Sequence, residues 1–282
     1  MFLRFKTIVL IIAAIFSSSL FVFGQETKLN DGKKENKDNK PKKEEKKDDK
    51  KNLPANGNFT AEQIAESSII VFGGFRGRDT LNQIRKTTIE RGKISILAAD
   101  GKTDTASYQR WIIRGDNLEK EKNRLEQEFP NVKFGLIYDG AKYFGMYNNS
   151  VFSPREDAVK SFQNQIWHGL DALLRYKENE SKLDLTGREK IQGVDVYILD
   201  VTDKQNRKTK FYISAKSFNV KMLEYEEDGT KYRRKFYDYN YSQGTLVPYR
   251  TVLYANDKQI EETEVGTITY GQKVDDALFL ES

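Results

Sequence analysis

From Leu81 to Tyr270 the chain is a succession of short β-prone segments with almost no helix between them, and that pattern leaves few folds open. TTIERGKISILAA, TASYQRWIIRG, NRLEQEF, VKFGLIY and AKYFGMY follow one another, the last two parted by the turn dipeptide Asp139-Gly140. After one helical stretch come KLDLTGREKI, VDVYILDVT, KTKFYIS, NVKMLEYEE, TKYRRKFYDYNYS, LVPYRTVLYA and KQIEETEVGTITY, with a second turn at Asp228-Gly229. Runs rich in Val, Ile, Thr, Tyr and Phe bounded by Gly, Asn and Asp read as antiparallel strands. A parallel α/β fold needs a helix between most strands. The expectation is therefore a mainly β, α+β architecture, one large curved antiparallel sheet with a helical lid. A sheet of this size curls, and its concave apolar face has to be covered. VDVYILDV supports this, because Val194, Val196 and Ile198 lie on one face while Tyr197, Leu199 and Val201 lie on the other.

Two helices are available as the cover. In NFTAEQIAESSIIVFGGF, Thr60 is placed as an N-cap with Gln63 three residues on, and Ile64, Val71 and Phe72 follow at helical spacing until Gly73, Gly74 and Gly77 stop the helix. In SPREDAVKSFQNQIWHGLDALLRYKEN, Ser153-Pro154-Arg155-Glu156 reads as a capping box. Val159, Phe162, Ile166, Leu170 and Leu173 then form one apolar stripe. Burying those five side chains is worth on the order of 10 kcal/mol gross, an upper limit. His168, the one histidine, falls about 180° from Val159 on a helical wheel. It shares that side with Asp171 and Arg175, so the expectation is a solvent-facing or rim residue with helical ion-pair neighbours. Trp167, at the stripe's edge, reads as a core or pocket-lining residue.

The N-terminus adds a destination. Arg4 and Lys6 precede an apolar run from Thr7 to Phe23, which reads as a secretory signal over residues 1–24, with a retained inner-membrane anchor as the other reading. Residues 25–52 are Lys-rich with little to bury and read as a disordered linker, leaving 53–282 as the folded domain. Thirteen of the 47 basic residues and eight of the 42 acidic ones precede residue 53, so the domain holds 34 of each sign. A neutral domain argues against nucleic acid, which needs a basic field on the fold itself.

Catalysis finds little support. The chain has no cysteine and one histidine, which removes thiolate nucleophiles and makes a zinc site improbable. No G-x-S-x-G offers His168 a partner, and GGFRG at 73–77 lacks the spacing of a nucleotide-binding loop. The carboxylates Glu224, Glu226, Glu227 and Asp228 read as a solvated cluster, and nothing selects a glycosidase pair. We expect no catalytic residue, no metal and no cofactor.

Several stretches resemble the LolA-like family of periplasmic lipoprotein carriers: LNQIRKTTIERGKISI, LIYDGAKYFGMY, GREKIQGVDVYILDV, KTKFYISAKSFNVKMLEYEEDG, FYDYNYSQGTLVPYRTVLYA and the ending VDDALFLES. Together they span about 200 residues in order. The resemblance implies an incomplete β-barrel lidded by helices, located in the periplasm. It further implies a groove that shields the acyl chains of a lipoprotein or lipid, with membrane-bound proteins as donor and acceptor. On that fold the expected ligand-binding residues are Phe72, Trp111, Ile113, Phe134, Leu136, Phe144, Met146, Phe162, Ile166, Leu170 and Leu173. Arg110 and Arg114 are the candidates for an arginine that locks the lid. The Lys-rich linker and the long middle helix depart from the family pattern. The same fold also serves in envelope-stress regulators, so a sensing or protein-interaction module without ligand transport is the alternative.

Overall fold

The computed structural model describes residues 59–98, 101–148 and 150–281. The signal over 1–24 and the linker over 25–52 lie outside the described residues.

The chain opens with α1 (Ala61–Gly73), whose capping box is present in full: Thr60 Oγ1 accepts the Gln63 amide at 3.2 Å and Gln63 Oε1 accepts the Thr60 amide at 2.8 Å. Gly73 and Gly74 end it, and Gly74 at φ 68° adopts a conformation a side chain would resist. A second helix that the sequence pattern did not suggest, α2 (Arg78–Ile84), leads into the sheet.

Two meanders follow. The first runs through β1 (Thr87–Leu97), β2 (Thr103–Ile113), β3 (Lys122–Phe129), β4 (Val132–Tyr138), β5 (Tyr143–Tyr147) and the three-residue β6 (Ser150–Phe152). The second runs through β7 (Lys182–Ile191), β8 (Val194–Thr202), β9 (Lys208–Ser214), β10 (Val220–Glu227), β11 (Thr230–Ser242), β12 (Thr245–Ala255) and β13 (Lys258–Tyr270). Antiparallel pairing of β1 with β13 fuses them into one 13-stranded sheet ordered β6-β5-β4-β3-β2-β1-β13-β12-β11-β10-β9-β8-β7. The sheet does not close, and its two edges, β6 and β7, are adjacent in sequence. The connection between them is the helical segment α3 (Glu156–Trp167) and α4 (Asp171–Leu174).

That segment corrects three expectations. Arg155, not Ser153, is the N-cap of α3, and it makes no capping hydrogen bond through its side chain, because β6 keeps the chain extended up to Phe152. The long helix is two short ones: the backbone leaves helical geometry at His168 (φ −110°, ψ 30°), next to Gly169, and resumes at Asp171. The apolar stripe is accordingly divided between two cores. Phe162 and Ile166 pack with Ile94, Tyr108, Leu125 and Tyr138. Leu173 packs with Ile69 and Phe72 of α1 and with Leu199, Phe211 and Leu223 of the second meander. We call the face bearing these helices the inner face. The outer face is also partly apolar, with Val196, Tyr212 and Met222 forming one cluster there, as the two-sided apolarity of VDVYILDV foretold.

Candidate ligand groove and its roof

Between the N-terminal half of α3 and the inner face runs a groove of about 680 Å³. Leu125, Phe134 and Leu136 form one wall, Tyr225, Tyr232 and Leu253 another, and Phe162 of α3 projects into the space between. Strand alternation explains the walls, since Phe134 and Leu136 are two residues apart, as are Leu223 and Tyr225. Phe134 stacks on Phe129 with ring centroids 5.6 Å apart. Charges collect at α3's solvent side, where Lys160 Nζ pairs with Asp228 Oδ2 at 2.7 Å.

Of the residues expected to line a pocket, the structure brings Phe134, Leu136 and Phe162 to this groove. Ile166 and Leu170 border a smaller cavity of about 220 Å³ beneath the junction of α3 and α4. Phe72 and Leu173 have no exposed surface and belong to the closed core beneath α1. Trp111, Ile113, Phe144 and Met146 lie on the outer face, packed with Ile137, Val274 and Phe279 beneath the C-terminal turn Asp276–Phe279. Their parity decides it: Tyr108 in β2 points inward, so Trp111 and Ile113 point outward. Tyr225, Tyr232 and Leu253, which line the groove, were not anticipated; the alternation of NVKMLEYEE puts Leu223 and Tyr225 on one face but not which face is inner.

The α3–α4 segment is tied to the sheet by polar contacts. Arg110 Nη2 donates to Gln165 Oε1 of α3 at 2.5 Å, and Arg114 Nη2 meets Asp171 Oδ2 of α4 at 2.6 Å. Arg175 donates to the Gly115 carbonyl at 2.5 Å and faces Glu121 Oε2 at 3.4 Å. Arg110 and Arg114, singled out in the sequence, thus both reach the helical segment. Burial, with the negative charge of Asp171 added, pushes the Glu121 carboxyl up to about 7 against the pull of Arg114 and Arg175. Burial works to raise Asp171 too, but Arg114, Arg175 and Arg85 outweigh it and hold that carboxyl below its usual range.

His168 does not face solvent. It is 4% exposed, its Nδ1 lies 2.7 Å from Thr209 Oγ1, and its ring stacks on Tyr225 at 4.2 Å. Arg175 is likewise buried. His168 still makes the last helical bond of α3, from its amide to the Asn164 carbonyl at 3.0 Å, so the wheel failed because Thr209 and Tyr225 of the second meander cover the side opposite Val159. Burial, assisted by the charge of Arg207, pushes the imidazole down to about 4, leaving it neutral at physiological pH. Thr209 is buried as well, at 2% exposed. Trp167 carries Arg207 over its ring at 4.2 Å.

No family model matches the chain, and no curated protein sequence matches it either. Solved structures do match in fold. A LolA superfamily protein from Nitrosomonas europaea aligns with a TM-score of 0.55 at 13% identity, covering 79% of this chain and 98% of that one. An outer membrane lipoprotein-sorting protein domain from Vibrio parahaemolyticus aligns with a TM-score of 0.55 at 12% identity, covering 78% and 97%. A DUF1329 family protein from Desulfovibrio piger gives a TM-score of 0.55 at 14% identity, with the same coverage as the Vibrio domain. The resemblance to the LolA-like family read in the sequence thus extends to the fold.

Proposed function

We propose that the chain is a non-enzymatic periplasmic carrier or binding protein that holds the acyl part of a lipoprotein or lipid in the groove beneath α3. The observation that carries this reading is the groove itself, about 680 Å³ walled by aliphatic and aromatic side chains of the sheet, with Phe162 set between them. Each methylene moved from water into such a space is worth about 0.8 kcal/mol, so a long chain is retained without covalent attachment. The likeness to a lipoprotein-sorting domain supports the same class of cargo. Among the groove-facing residues, Phe134, Leu136 and Phe162 are the proposed ligand contacts.

The test is direct. Chain isolated from its own envelope should carry co-purified lipid or lipopeptide in native mass spectrometry. The stripped chain should enhance the fluorescence of N-phenyl-1-naphthylamine, a neutral apolar probe. A clean apo mass together with no probe binding would sink the reading.

A further inference from the structure

The cavity beneath the junction of α3 and α4 is lined by four arginines where the groove has one, and the two adjoin: Leu125, Gln165 and Glu261 border both. Most of the inner charges are already matched. Arg114 holds Asp171, Arg234 lies 3.5 Å from Glu261, and Glu90 accepts the Tyr108 hydroxyl at 2.7 Å. Two guanidinium groups have neutral partners instead. Arg110 is bonded to the Gln165 amide, and Arg85 to Thr245 Oγ1 at 3.4 Å and the Leu246 carbonyl at 2.8 Å, with the Tyr270 ring 5.1 Å away. Glu121, which also lines the cavity, faces Arg175, so Arg85 and Arg110 set against Glu90 leave an excess of one positive charge. The Nε–H groups of Arg110 and Arg114 are buried without a hydrogen-bond partner, and the Arg114 side chain is only 9% exposed. A buried donor without an acceptor forfeits the hydrogen bond that water would give it, so the site favours whatever brings oxygen acceptors to it.

We propose that this inner cavity receives the anionic headgroup, a carboxylate or a phosphate, of an amphiphile whose acyl chain lies in the groove. The proposal rests on the groove reading above and narrows its ligand class. Guanidinium suits this role because its fork of N–H donors matches planar carboxylate and phosphate oxygens. Gln165 offers Arg110 an uncharged acceptor, which an anion outcompetes, because hydrogen bonds between charged groups are roughly twice as strong as neutral ones.

Isothermal titration of the full chain with dodecanoate, dodecyl phosphate and dodecanol, all below their aggregation limits, separates the possibilities. At least one of the two anions should bind about tenfold tighter than the alcohol, and the tighter of them tells a fatty-acid from a phospholipid source. Arg110→Gln should bring the ratio of anion to alcohol affinity towards one, and Arg110→Lys should keep part of it. Gln165→Leu, which frees Arg110, should widen the ratio and serves if the arginine variants do not fold. Equal binding of all three ligands, or a preference unmoved by these variants, overturns the headgroup assignment while leaving the groove reading in place. Failure of all three ligands to bind overturns both.

Discussion

The two halves of the helical segment between the sheet edges carry one apolar stripe in the sequence and meet opposite fates in the fold. Phe162, on α3, is buried against the sheet yet lines the groove that runs beside it; Leu173, on α4, lies in a closed core because α1 covers it with Ile69 and Phe72. The side chains are equally apolar. What differs is whether a second helix arrives to fill the space, so it is α1 that closes one half of the inner face and leaves a groove along the other.

The contrast makes graded predictions. Leu173→Ala leaves a cavity in a closed core and should cost about 2–5 kcal/mol in chemical denaturation; a much smaller loss would mean that the α4 half is also open. His168→Ala, at the junction, removes the stack on Tyr225 and the partner of Thr209, and should cost about 2–3 kcal/mol at neutral pH. The His168 folded-state value of about 4 lies below its ordinary 6.5. The stability it contributes is therefore present above about pH 6.5 and lost as pH falls towards 4, and His168→Gln should flatten that acid limb.

Phe134→Ala alters a groove wall, not a core. It should weaken N-phenyl-1-naphthylamine binding about tenfold, while the melting temperature falls by no more than about 4 °C. A large thermal loss with unchanged probe binding would erase the distinction between the halves. Glu121→Gln tests the tether of α4. Because the folded-state value of about 7 lies above the usual 4.5, Glu121 contributes stability that is complete below about pH 4.5 and is lost as pH rises through 7. The Gln variant, which cannot ionise, should match the wild type near pH 5 and become the more stable of the two by pH 8. A variant that weakens as pH rises would show instead that the ion pair with Arg175 dominates.

Much of the architecture was legible because it is written in local chemistry. Thr60 and Gln63 satisfy each other's backbone as their spacing implies, and the Asp139-Gly140 and Asp228-Gly229 turns sit between the strands expected to flank them. The Ser153 box failed since a three-residue strand too short to show any alternation precedes it. The groove was legible only in part. Period-two alternation sorts Trp111 from Tyr108, but both faces of this sheet bury apolar side chains, so apolarity alone cannot say which set meets the helices. His168 was misplaced for a related reason: a wheel gives a side chain's direction but not what lies there, and Thr209 and Tyr225 cover the side opposite Val159.

The pairing of β1 with β13 joins residues some 180 positions apart, Thr88 facing Tyr270, while almost every other strand contact is between sequence neighbours. Each meander can zip up locally, and a single late seam then makes the sheet whole, at a loop-closure cost that grows only logarithmically with separation. The helical segment, by contrast, runs between two edges that never pair. A chain cut there keeps every strand ladder intact on one fragment or the other except that seam. Two fragments divided between β6 and β7 are thus the natural pieces for complementation, reassembling through β1 and β13 with the groove rebuilt across the join.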